Sequence, residues 1–166
     1  MMYYYLNYFF VFSILGHFIE GFFYSDGQSG ILSGYWTPIY GLGVIVILIV
    51  YQAIKGFIED SKLKKFISIF LIGAILISAL EYIGGIIIET LFHMVFWDYS
   101  DMKFNIGKYT SLEMAGIWGI ASVVLIYLIK PLLDKIIKKI PKWITWILVI
   151  LLVIDGGALL FKKMVV

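Results

Sequence analysis

Repeated apolar runs, each long enough to cross a lipid bilayer, constrain this chain more than any other feature. The runs cover residues 2–24, 39–57, 66–96, 109–129 and 143–161. About 20 helical residues at a 1.5 Å rise cross a hydrocarbon core of about 30 Å. A chain that is 62% apolar and only 14% charged has too little polar surface to be solvated by water over most of its area, since soluble domains carry about 25% charged residues. The expectation is an all-α integral membrane protein. It is a bundle of about five transmembrane helices, forming a single transmembrane domain over residues 1–166.

The connectors refine this reading. Residues Ser25 to Pro38 are rich in Gly and Ser and read as a loop. Glu59, Asp60, Lys62, Lys64 and Lys65 form a charged turn that must leave the hydrocarbon. The third run is longer than a membrane needs, which predicts tilt or projection beyond the surface. Lys130 to Lys142 is bracketed by Pro131 and Pro141, with Leu132, Leu133, Ile136, Ile137 and Ile140 at helical spacing. That pattern predicts a short cytoplasmic interfacial helix, seated on the membrane surface or touching a separate ATPase.

The basic residues are 13 Lys and no Arg, and the net charge is +2. Nine of the Lys lie in the connectors after the second and fourth runs, against four elsewhere. By the bias of basic residues toward the cytoplasm, the amino terminus is expected inside and the residues 25–38 and 97–108 outside. The short Lys clusters form no continuous basic groove, so no nucleic-acid partner is expected. The absence of Cys excludes disulfides and thiolate chemistry. The first run lacks the basic start and small-residue cleavage site of a secretory signal.

Ionisable groups within apolar runs are costly and normally face the bundle or a wet cavity. Here they are His17, Glu20, Glu81, Glu89, His93 and Asp155, with Glu113 near the start of the fourth run. His17 and Glu20 lie three apart and Glu89 and His93 four apart, spacings that share a helix face. With the orientation above they gather toward the outer half, predicting a polar pocket open to or capped by the outer loops. Its candidate ligand-binding residues are Glu20, Glu81, Glu89, His93, Trp97, Asp98 and Asn105. His17, Glu20, Glu89 and His93 also have metal-ligand types, but no metal or other cofactor is assigned. A proton relay, a binder of cationic headgroups and purely structural hydrogen bonding fit the same residues. Asp155, beside Gly156 and Gly157, fits a close helix contact or a site. No GxxxxGK[ST], GxSxG or HExxH pattern occurs, so the chain carries no nucleotide motor or standard hydrolase motif.

Several of these residues fall in a recognisable pattern. Gly16 and Glu20 are followed by Gly34-Tyr35-Trp36-Thr37-Pro38-Ile39-Tyr40-Gly41, then Glu81-Tyr82, Gly85 and Glu89. Trp97-Asp98-Tyr99-Ser100, Phe104-Asn105-Ile106-Gly107, Trp118-Gly119 and Pro131 complete it. Over residues 8–131 the chain resembles the ABC-transporter type IV family of small bacterial membrane proteins, the CmpB-like permeases. His17 stands where the family has Trp, Ser29 where an Arg precedes the Gly, and Tyr35 where a Pro is usual. The resemblance implies a multi-pass transport component of the bacterial cytoplasmic membrane. Its implied partners are membrane lipid, a separate ATPase subunit and further copies of itself. The residues alone leave two alternatives: an intramembrane enzyme acting on a lipid-linked substrate through Glu20 or Glu89, and a structural or regulatory subunit.

Overall fold

A computed structural model describes residues 1–23, 32–57 and 61–165. The expectations for residues 24–31, including Ser25 and Ser29, and for Glu59 and Asp60 lie outside the described residues. Among the described residues there are five helices: α1 (Met2–Phe23), α2 (Pro38–Ile54), α3 (Lys62–Phe92), α4 (Leu112–Ile137) and α5 (Lys142–Val165). Among the described residues there is no named strand, only an isolated bridge between Asn105 and Ser111.

Three helices, α3, α4 and α5, are long and apolar enough to cross a membrane, and α2 is a shorter apolar helix of 17 residues. The chain is a multi-pass, all-α membrane protein. At 22 residues α1 is also long enough to span. Ile147, Ile150, Leu151, Val153 and Ile154 of α5 are all exposed. Such a surface needs lipid or protein around it, because water would penalise each large apolar side chain by about 1.5–3 kcal/mol.

The chain divides into two compact units, one of residues 1–42 and 134–166, the other of residues 43–133. In the first, Tyr8 and Phe10 of α1 are almost fully buried. Gly41 of α2 lies directly against the Phe9 carbonyl and the Ser13 hydroxyl, and Gly16 lies under the Tyr40 ring. Any Cβ at those glycines would collide, so small residues set the helix spacing there. A polar clasp holds the start of α1. The Tyr4 and Tyr8 hydroxyls both donate to Asp134 Oδ1, at 2.7 and 3.0 Å. The Thr145 hydroxyl donates to Asn7 Oδ1 at 2.7 Å.

In the second unit α3 and α4 pack along their lengths. Gly73 sits against the Ser122 side chain, and Gly119 against the Phe70 ring and carbonyl. The α3 helix starts after Ser61 and ends where His93 turns left-handed at φ 54°. Its 31 residues span about 46 Å, more than the hydrocarbon thickness, in keeping with the length of the third apolar run.

The largest departure from the sequence reading is at Pro131. Proline lacks an amide donor and its ring clashes with the carbonyl four residues back, so a break was expected between the fourth span and a separate surface helix. Instead Lys130–Ile137 continues α4 without a gap. The five residues Leu125–Ile129 adopt a π-helix, with the Lys130 amide reaching back to the Leu125 carbonyl. This wider turn reshapes the backbone just ahead of the proline and relieves the clash.

Candidate functional site

The acidic residues of the apolar runs lie in two places, one in each unit. Each anchors a short non-helical strap to a helix.

In the first unit the strap is residues 32–37. The α5 carboxylate of Asp155 accepts from the Ser33 amide at 3.1 Å, the Gly34 amide at 2.8 Å and the Trp36 indole at 2.8 Å. Gly34 is pressed against the same indole, where a Cβ would not fit. The next residue inward is tied to α1: the Thr37 amide donates to the Ser13 carbonyl at 2.9 Å, and its hydroxyl to Glu20 Oε2 at 3.3 Å. Tyr40 also hydrogen-bonds Glu20. The His17 ring lies edge-on to Tyr35 at 5.4 Å. Asp155 thus serves as an anchor for backbone, whereas a Cβ at Gly156 or Gly157 would meet nothing within 4 Å, so the close helix contact expected from these glycines is not seen among the described residues.

In the second unit the strap is residues 93–111, which fold back along the last three turns of α3. Glu81, only 7% exposed, accepts from the Tyr99 hydroxyl at 3.1 Å and from the Trp118 indole of α4 at 2.6 Å. Glu89 pairs with the Lys108 ammonium at 2.7 Å and accepts from the Tyr109 hydroxyl. The Tyr109 ring fills the space above Gly85, and the Trp97 ring stands edge-on to it at 6.1 Å. The strap is internally bonded as well. The Tyr99 amide meets the Lys108 carbonyl at 2.8 Å, and the Ile106 amide the Thr110 carbonyl at 2.8 Å. Gly107 takes φ 66°, which an L side chain resists.

Electrostatics outside the membrane-spanning helices follow from these bonds. The Ser100 hydroxyl and amide hold the Asp98 carboxyl below the usual aspartate range. Glu89 raises the Lys108 ammonium. Burial, followed by the hydrogen bond to Glu89, raises the Tyr109 phenol.

Of the sequence candidates, Glu81, Glu89, Trp97, Asp98 and Asn105 fall in or against the second strap, and Glu20 belongs to the other unit. Asp98 and Asn105 are exposed and build turns: Asp98 Oδ1 accepts from the Ser100 amide at 2.8 Å, and the Asn105 amide donates to the Gly107 carbonyl at 3.3 Å. His93 is the left-handed cap of α3, its amide bonded to the Glu89 carbonyl. It therefore leaves the helical register in which Glu89 and His93 would share a face. Among the described residues, no three of His, Asp and Glu come together as a metal-ligating group. Trp36, Thr37, Tyr99 and Trp118 stand in the family pattern but were not among the candidate ligand-binding residues, and neither were Lys108 and Tyr109, although each supplies a donor to a carboxylate. Asp134 was missed too. Its only sequence signal is an acidic residue in a lysine-rich segment.

Both anchored straps lie within residues 7–157, which match the family described as Putative ABC-transporter type IV. The chain belongs to this family. The match runs beyond residues 8–131, on which the sequence resemblance rested, and takes in α5 and Asp155. The match to the ABC-transporter type IV family therefore covers both straps and the carboxylates that hold them, Glu20, Glu81, Glu89 and Asp155. Comparison with curated proteins and with solved structures returns no match.

Proposed function

We propose that the chain is the membrane-embedded component of a transport system and that the strap of residues 93–111 gates a polar site centred on Glu81. One observation carries this reading. Glu81 is buried and held by two neutral donors, Tyr99 from the strap and Trp118 from α4. A carboxylate is costly to hold in apolar surroundings, yet here one of its two contacts comes from a non-helical segment that can be withdrawn. Lifting the strap removes Tyr99 and leaves an acceptor that a cationic or donor-rich small solute, or a lipid-like headgroup, can satisfy. Glu89, Trp97, Asp98, Asn105 and His93 shape and hold the strap, and Glu20 serves the corresponding role beside Thr37. The lysine bias sets this side outward in a bacterial cytoplasmic membrane, with the amino terminus inside. A separate ATPase supplies energy, since the chain has no phosphate-binding loop of its own.

The test is a thermal-shift screen of the purified full chain against a panel of organic cations and polar neutral solutes, run in parallel on Glu81→Gln. A compound that stabilises the wild type and loses its effect in the variant supports the reading. No stabilisation across the panel, or stabilisation that survives Glu81→Gln, overturns it.

A further inference from the structure

Where the second strap meets α4, residues 104–112 form a small hairpin closed upon itself. The Leu112 amide donates to the Phe104 carbonyl at 2.9 Å and the Ile106 amide to the Thr110 carbonyl at 2.8 Å, on either side of the Asn105–Ser111 bridge. The Phe104 amide donates to Glu113 Oε1 at 3.1 Å, and the Asn105 side chain to the Gly107 carbonyl at 3.3 Å. The Ser111 hydroxyl accepts from the Met114 amide at 3.1 Å and donates to the Met102 sulfur at 3.0 Å. These bonds occupy backbone groups that would otherwise require water, the condition on which non-helical chain can approach hydrocarbon. The side chains are the reverse. Phe104, Ile106 and Leu112 each leave more than half of their surface bare, and the Lys103 ammonium lies over the Phe104 ring at 5.2 Å.

Two helices of this unit fix the level of the hairpin. On α3, Gly107 rests on the Tyr82 ring, where an added Cβ would come within 3.1 Å. Tyr82 stands about 26 Å along α3 from Lys65, and Leu112 stands about 27 Å along α4 from Lys130. A hydrocarbon core is about 30 Å thick, so lysines at one boundary put the hairpin at the other. Exposed Ile83, Ile86 and Ile87 carry the apolar surface of α3 past Tyr82, so lipid reaches the level of the hairpin. Bare aromatic and aliphatic side chains beside a lysine have the composition of the layer between headgroups and acyl chains.

We propose that Phe104, Ile106 and Leu112 insert into the phospholipid interface, with the Lys103 ammonium reaching lipid phosphate, so that the strap is anchored in the bilayer at its tip as well as on α3. Continuity favours lipid over a protein partner: the helices that flank the hairpin carry bare Ile86 and Ile87 on α3 and bare Ile117 and Ile120 on α4 over the adjoining turns. The contact holds whether or not the strap opens over Glu81.

The chain has no Cys of its own, so a nitroxide on a single introduced thiol reports only its own surroundings. The test compares Phe104→Cys and Ile106→Cys with Asp101→Cys, an exposed strap position ahead of the hairpin, in the full chain reconstituted into phospholipid nanodiscs. Spin relaxation is measured with oxygen, which concentrates in lipid, and with a nickel chelate confined to water. At Phe104→Cys and Ile106→Cys the oxygen effect is expected to exceed the nickel effect severalfold, and at Asp101→Cys the order should reverse. Nickel relaxation at either tip position that matches Asp101→Cys overturns the proposal, since the hairpin would then lie in water. Shielding of either tip position from both reagents overturns it too, because protein, a second copy or another subunit, would be the cover. A lipid-type response at all three positions likewise overturns it, as the hairpin would have no seating of its own. If one labelled tip variant melts below the unlabelled chain, Leu112→Cys takes its place in the comparison. The Glu81 solute screen reads a different property, and its failure leaves this outcome unchanged.

Discussion

The two straps solve one problem with different chemistry. Each is a stretch of non-helical backbone at the ends of apolar helices, where unsatisfied amides and carbonyls are expensive. Residues 32–37 are held mainly through their backbone, since Asp155 accepts from two consecutive amides as well as from the Trp36 indole. Residues 93–111 are held to α3 mainly through side chains: Tyr99, Lys108 and Tyr109 reach Glu81 and Glu89. A backbone anchor tolerates most changes in the strap and fails when the carboxylate is lost. A side-chain anchor can be loosened one residue at a time, which suits a segment that opens.

The largest effect that separates these designs is expected from Asp155→Ala, which orphans three donors together. Thermal unfolding in detergent should register a loss of about 2–3 kcal/mol, with residues 32–37 becoming protease-sensitive. A loss no greater than that of a single tyrosine variant would erase the distinction between the straps. Next comes Trp118→Phe, which removes the indole donor to the buried Glu81 carboxylate and should cost about 1.5–2 kcal/mol by the same measurement. Tyr99→Phe removes only the hydroxyl and should cost about 1 kcal/mol, while raising amide exchange across residues 97–108 with no change in α4. If exchange rises equally throughout the unit, the strap does not move separately.

The smallest effect is a dependence on pH. Asp98 is held below the ordinary aspartate value, so its contribution is complete above about pH 4 and fades as pH falls through its lowered value. Lys108 is raised, so its contribution is complete below about pH 10.4 and fades as pH rises further. Emission from Trp97, obtained by difference against Trp97→Phe, should be flat between these limits and change outside them. A transition near neutral pH would show that neither group governs the strap.

The membrane character, the acidic residues and the structured 97–107 segment were legible in the sequence because each depends on residue type or run length. The partners of the carboxylates were not, because the Glu81–Trp118 and Asp155–Gly34 contacts span 37 and 121 positions and no local spacing encodes them. The Glu89 and His93 pair misled for a local reason. Spacing by four implies a shared face only while the helix lasts, and α3 ends at Phe92. Pro131 misled in the opposite direction, since a proline signals a break unless the turn before it is widened. Asp134 escaped notice among lysines, yet two tyrosines from α1 converge on it.

That widened turn acts as a phase shifter. Leu125–Ile129 accommodates one residue more than an α-helix would over the same rise, so the segment beyond it faces about 100° away from where unbroken α-helical winding would aim it. The apolar positions before and after the turn therefore do not make one helical stripe, and a period of 3.6 carried unbroken from Leu112 to Ile137 would assign Lys130–Ile137 to the wrong face.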